Sequence, residues 1–455
     1  MNKFIETLKN IWKIKELRNK ILFTLAILAI YRFGSYIPLP GINPGALAEA
    51  SAQRGANDIL GLINTFAGGA FNRAAIFALG IMPYITASII IQLLGFAVPY
   101  FQRLQQQEGE SGRKKISQIT RWLTLAITLV QGGTFLTYIN SIPNAIYPGV
   151  PASIFWFSGI IILSAGTIFA MWLGERITEN GIGNGVSLLI MIGIIATLPQ
   201  AFAAEIVTQI NTNSLFIFIL EMVVLFFIFM ASIMVIQAVR KIPLQFAKRM
   251  VGRGSGQIPL SGARDYIPLK VNAAGVMPII FAQAIMFLPM TLAGFASGPD
   301  GITNNFLIQL GDWKSVPYNI IFFILVVVFT YVYTALLVNP KQYAEYLKRQ
   351  NAFIPGVKPG KATQDFIDTL TTRVTLPGSI WLGLISIFPA FVAKAGVNDA
   401  FAFFFGGTSL LILVGVVLDT LQQIESHLLM RKYDGLVKSG KLKGRSGMQP
   451  IGAGM

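Results

Sequence analysis

Cysteine is absent from this 455-residue chain, which excludes disulfides, thiolate metal sites and cysteine nucleophiles together. Histidine occurs once, at His427. No transition-metal constellation and no His-based nucleophilic system can be built from that. Charge is also scarce. Charged residues make up 12% of the chain against 54% hydrophobic ones, and the mean hydropathy is +0.62. A soluble fold of this length would lack the polar surface it needs. The run Gly356-Val357-Lys358-Pro359-Gly360-Lys361-Ala362-Thr363 faintly echoes a phosphate loop, but its glycine spacing is one residue short and Ala362 follows the lysine. It is rejected, so the chain reads as no enzyme and as needing no cofactor; any ATP energy must come from a partner.

Acidic residues are few as well: 20 Asp and Glu face 36 Lys and Arg, a net charge of +16. Such an excess implies a polyanionic neighbour, either anionic lipid or, for a whole basic face, RNA or an acidic protein. What fills the chain instead is long apolar runs. About ten stretches approach the ~20 residues of a bilayer-spanning helix: 21–38, 74–98, 122–139, 153–173, 186–204, 214–238, 272–296, 317–338, 375–393 and 400–419. Taking every second connection together with both ends collects 31 of the 36 basic residues on one face. Positive charge stays cytoplasmic, so both termini are expected in the cytosol. No signal peptide is apparent. Residues 1–20, with Lys3, Lys9, Lys13, Lys15, Arg18 and Lys20, read as a cytosolic amphipathic segment, and 420–455 as a basic cytosolic tail bearing a solvated His427.

Ten spans divide into five and five, so structural repeats would have to be inverted in the membrane. The halves would be 21–204 and 214–419. Two cytosolic loops are long, 239–271 and 339–374, and carry Arg240, Lys241, Lys248, Arg249, Lys358 and Lys361. They read equally as solvated connectors or as a docking surface for ribosomal RNA or a motor. The external segment 59–71 is apolar but too short to cross; it reads equally as a re-entrant half-helix or a surface helix. In the second stretch Ile81, Ile85 and Ile89 share a helical face, which ordinarily meets lipid. Pro83, Thr86, Ser88 and Gln92 make the same helix kinked and partly polar, as a cavity lining would be.

These residues resemble a known family. The run Ile81 to Leu94 is similar to a signature of the SecY family of protein-conducting channels, and so, in the same order, are Glu108 to Gln118, Met171 to Gly185, Pro268 to Pro278 and Phe405 to Ile412. The bacterial form fits best by loop length. The resemblance implies an all-α polytopic membrane protein of the bacterial cytoplasmic (inner) membrane, with ten transmembrane helices in two inverted five-helix halves around a central hourglass pore. It implies a pore ring of Ile81, Ile85, Val186, Ile190, Ile280 and Ile412, where Val186 is smaller than the usual isoleucine. It further implies a plug at about 59–71, with Ile63, Phe66, Gly68, Gly69 and Phe71, and a lateral gate containing Thr86, Gln131 and Asn272. The implied partners are the SecE and SecG membrane subunits, the SecA ATPase, the ribosome, signal sequences with unfolded secretory polypeptides, and the bilayer. Lys358 stands where the family has arginine, keeping the charge but losing the planar fork. The rival is an inverted-repeat secondary transporter. It is weakened because only Arg32 and Glu221 fall clearly within spans, both towards an end rather than the centre.

Overall fold

The computed structural model describes residues 12, 14–53, 64–106, 109–212, 215–246, 250–251, 258–259, 264–296, 309–310 and 312–438. Over these the chain is mostly helical. In order come α1 (Lys15–Gly34), α2 (Pro44–Gln53), α3 (Met82–Ala97), α4 (Pro99–Gln106), α5 (Gly109–Asn140), α6 (Ala152–Asn180), α7 (Gly185–Asn211) and α8 (Leu215–Gln237). After the strands β1 (Val239–Phe246), β2 (Met250–Val251), β3 (Ile258–Pro259) and β4 (Arg264–Lys270) follow α9 (Met277–Ala296), α10 (Val316–Leu337) and α11 (Pro340–Arg349). The chain closes with β5 (Ala352–Phe353), α12 (Lys361–Lys394), α13 (Asp399–Ala402) and α14 (Gly407–Lys438).

A helix lies in each of the ten apolar stretches. Seven among the described residues are long and apolar enough to cross a membrane: α5 to α8, α10, α12 and α14. Shorter apolar runs, Met82–Gly95 and Met277–Met286, lie in α3 and α9. The chain is thus a multi-pass membrane protein. With no water at bilayer depth, side-chain hydroxyls must turn to the backbone. On α5, Thr120, Thr124 and Thr128 do so, each donating to the carbonyl four residues earlier at 2.7–2.8 Å. Their four-residue spacing continues through Gly132 and Leu136, giving α5 a narrow buried stripe of mostly small residues. Small residues let membrane helices approach closely, and α5 packs between α3 and α6.

Two departures from the sequence reading shape the molecule. The second apolar stretch is not helical from residue 74: turns run from Ala67 to Ile81 and the helix begins at Met82. Pro83 therefore sits in the first helical turn, where its missing N–H costs nothing, and does not kink α3. Gly80 turns the chain into α3 with φ +54°, a value that glycine alone adopts without strain. The coil is buried, with Ala70, Ala74, Ala75 and Ala78 at 0% exposure, as non-helical backbone at membrane depth must be.

The second departure concerns the two long loops, 239–271 and 339–374, for which the sequence reading offers no strands. They fold together. β1 pairs antiparallel with β4, from Val239↔Lys270 to Gln245↔Arg264, and with β5 through Gln245↔Phe353 and Phe246↔Ala352. Ile242 and Leu244 alternate inward on β1 and pack with Leu269, Leu347, Ile354 and Ile367 in a core of their own. Pro243 and Pro268 obscure the strands in the sequence, since proline is rare in sheet interiors.

Candidate functional site

The site begins where the coil enters α3. Ile81, Ile85 and Ile89 are 4%, 7% and 4% exposed, so this face points into the bundle and the lipid instead meets residues such as Ile90. Ile190 of α7 and Ile412 of α14 are buried in the same apolar cluster. Val186 and Ile280 are half-buried against it. All six branched side chains assigned to the ring lie in or against this cluster, which is the main apolar core of the bundle and extends from Ile27 to Val416. Gly174 of α6 marks one edge: a Cβ there would lie 3.4–3.5 Å from Val186 Cγ2 and Ile81 Cδ1.

The coil packs into this cluster through Phe66, Phe77 and Ile81. Of the plug residues, Phe66 and Phe71 are buried; Ile63 lies outside the described residues. Phe66 packs in the same apolar cluster, and the Phe71 ring lies tilted against Phe135 and Tyr138 of α5. Only residues 64–66 are helical in the described part, and turns follow. Gly68 has φ +64°, and a Cβ on it would collide with Arg32 Nη1 and crowd the Gly193 Cα. Gly193 in turn leaves room for the Phe66 carbonyl. Arg32 Nη1 donates to the Gly68 carbonyl at 2.9 Å. The segment is held inside the protein from both sides.

The three gate candidates are not joined by a hydrogen bond among the described residues. Thr86 Oγ1 donates to the Met82 carbonyl at 3.0 Å, within α3. Gln131 is half-buried on α5. Asn272, in the turn between β4 and α9, is 4% exposed with neither amide atom partnered. A buried unsatisfied group costs about 1–3 kcal/mol, which leaves this end of α9 under-stabilised. α3 touches both α5 and α9.

Of the docking candidates, Arg240 and Lys241 lie exposed on β1, with the Lys241 ammonium 4.8 Å from the Tyr266 ring centre. Lys358 and Lys361 lie exposed at the turn into α12, where Thr363 Oγ1 donates to the Lys358 carbonyl at 2.8 Å. Lys248 and Arg249 are outside the described residues. The strand pairing brings both loops onto one platform.

Sequence reasoning missed two polar junctions. Where the C-terminal end of α7 meets the N-terminal end of α8, Gln209 Nε2 donates to Glu205 Oε1 at 2.7 Å and Glu221 Oε1 at 3.1 Å, while the Asn398 backbone N–H donates to Glu205 Oε2 at 2.7 Å. Glu205, Gln209 and Glu221 are 0%, 3% and 6% exposed. The spacing of Glu205 and Gln209, four apart on one helical face, was the available signal. At the opposite end of α7, the Gly183 N–H donates to Gln423 Oε1 at 2.8 Å and the Ile182 N–H to Thr24 Oγ1 at 3.1 Å, tying the α6–α7 turn to α14 and α1.

Helices long and apolar enough to cross a membrane, packed round an apolar core with a buried coil against it, define a polytopic α-helical membrane protein. The comparisons with known proteins agree. The sequence profile of the SecY family matches residues 75–421. The chain is similar to the protein translocase subunit SecY of Halalkalibacterium halodurans, 42% identical over 95% of this chain and 99% of that one. Among solved structures it is similar to one described as a protein conducting channel, with TM-score 0.62 at 19% identity over 92% of this chain and 94% of that one. It is also similar to Sec61 in the canine ribosome-channel complex, with TM-score 0.59 at 18% identity and coverage of 92% and 94%. The chain belongs to the SecY family.

Proposed function

We propose that this chain is the central subunit of a protein-conducting channel that moves secretory polypeptides across the bacterial cytoplasmic membrane and releases membrane proteins sideways into it. The observation that carries the reading is the gathering of Ile81, Ile85, Val186, Ile190, Ile280 and Ile412 in one apolar cluster with Phe66 of the buried coil. A translocating polypeptide presents every kind of side chain, so its conduit cannot hold a specific binding site. Branched apolar groups yield around a chain, and when the constriction is empty they keep water out by dewetting. The coil at 64–71 acts as the plug, with Arg32 and Gly193 as its seat. The lateral gate opens between α3 and α5 on one side and α9 and α10 on the other. Thr86, Gln131 and the unsatisfied Asn272 weaken that seam by placing polar groups there that no hydrogen bond joins across it, and such bonds in membranes are worth only ~0.6–2 kcal/mol when they form.

The spans form two inverted halves, 21–204 and 214–419, with both termini cytosolic, and no step of the work is enzymatic. SecE and SecG complete a heterotrimer. The SecA motor or a translating ribosome docks on the platform of Arg240, Lys241, Lys358 and Lys361; Lys248 and Arg249 extend it. Support for a ribosome comes from the likeness to a Sec61 channel described in a ribosome complex. The secondary-transporter alternative finds no support, because the matched relatives are translocase subunits. The test is reconstitution in proteoliposomes with SecE, SecG and SecA. A secretory precursor becomes protease-protected only when this chain is present; precursor that stays fully digestible overturns the reading.

A further inference from the structure

The ends of α10 and α12 opposite the cytosolic platform frame a groove of about 370 Å³. Ile320 and Phe323 of α10 and Leu384, Ile387 and Phe391 of α12 line it, together with Lys394. Ile320, Leu384 and Phe391 are 54%, 49% and 60% exposed, so the groove opens outward from the bundle, where a membrane-spanning chain meets lipid. Gly383 gives the Phe323 ring room to lie against α12, for a Cβ at Gly383 would come within 2.6 Å of it. Lys394 is the last residue of α12, and Val316, the first of α10, lines the same groove. The charged end of the groove is therefore at the membrane surface, and the apolar walls run inward from it.

The cations on this face are few; two of the other three described are held by a hydrogen bond or an ion pair, and Arg73, whose Nη1 is buried without a hydrogen-bond partner, is held by a ring. Arg32 donates to the Gly68 carbonyl, Arg73 lies 4.2 Å from the Tyr36 ring centre, and Lys314 pairs with Asp399 at 2.6 Å. Lys394 has no ion pair or hydrogen-bond partner among the described residues, although it stands beside the positive N-terminal end of α10. An apolar slot ending in an unpartnered ammonium is complementary to one acyl chain ending in a phosphate. We propose that this groove is a binding site for an anionic phospholipid of the outer leaflet, with one acyl chain between α10 and α12 and the headgroup phosphate on Lys394. A zwitterionic headgroup is the poorer fit, because its own cation would face the lysine and the helix end. Basic pockets between membrane helices select anionic headgroups in this way.

The test uses the full chain in nanodiscs containing phosphatidylglycerol with a photoactivatable acyl chain, and mass spectrometry of the adducts. Adducts are expected on Ile320, Phe323, Leu384 and Phe391. They should fall by about fivefold in Lys394→Gln, recover in Lys394→Arg, and disappear in Leu384→Trp, which fills the slot. Equal labelling by a phosphatidylcholine probe with the same chains, or labelling unchanged in Lys394→Gln, would mark the groove as ordinary lipid contact and overturn the proposal.

Discussion

Arg32 reaches from α1 to the coil before α3, its Nη1 donating to the Gly68 carbonyl at 2.9 Å. A guanidinium near the end of a membrane helix is costly unless its charge is used, and here it pins a segment that has little regular structure of its own. A hydrogen bond to a charged group contributes about 1.5–3 kcal/mol. Arg32→Leu should therefore release the coil and raise resting ion leak in planar bilayers, as should Gly193→Val, whose side chain would press on the Phe66 carbonyl. Deleting 59–71 should leave a folded but leaky channel. Leak equal to wild type in all three would mean that the segment seals nothing.

Ile412 is 2% exposed within the apolar cluster. An apolar constriction stays dry because entering water forfeits hydrogen bonds that the walls cannot replace. Ile412→Asn places a donor and an acceptor there. It should yield a well-expressed channel that leaks ions and accepts precursors with defective signal sequences. Lower expression without added leak would place Ile412 outside the conduit.

The platform carries the third expectation. Phosphate contacts release counterions, so ribosome affinity should fall steeply with salt. Neutralising Arg240, Lys241, Lys248, Arg249, Lys358 and Lys361 together should flatten that dependence and impair translocation without affecting insertion of the chain itself. Ribosome and motor binding unchanged in this variant would rule the platform out.

The small sheet makes a separate demand. Ile354 is 3% exposed in the core shared by both loops, and burying an unpaired carboxylate there is prohibitive. Ile354→Asp should separate β5 from β1 and abolish docking with every surface charge still present. Limited proteolysis should then cut between residues 239 and 271. If docking survives, the charges act without the fold that groups them.

Gln209 bridges two buried carboxylates with a single amide nitrogen. Gln209→Leu leaves Glu221 without its donor and Glu205 with only the Asn398 N–H, and leaving a buried polar group unsatisfied costs about 1–3 kcal/mol. The thermal midpoint in detergent should drop, and Glu221→Gln in the same chain should restore much of it by removing one acid and returning a donor. A midpoint unmoved by Gln209→Leu would show that the bridge contributes nothing to stability.

The sequence by itself determined the membrane habit and the helical plan, because hydropathy and charge asymmetry are local properties that a bilayer reads directly. The helix in each apolar stretch needed no tertiary information, and neither did the exposed position of His427. The isoleucine stripe of α3 was visible too, but not which medium it faces; the helices packed against it decide that. Tertiary structure alone fixed the coil before α3, since Ala70, Ala74 and Ala75 would favour helix and are overruled by Gly80, Pro83 and the clasp of Arg32. It alone joined Gln245 to Phe353 and Glu205 to Asn398, pairs lying 108 and 193 residues apart. Contacts at such separation leave no periodicity in a sequence; they exist only once packing has closed the loops between them.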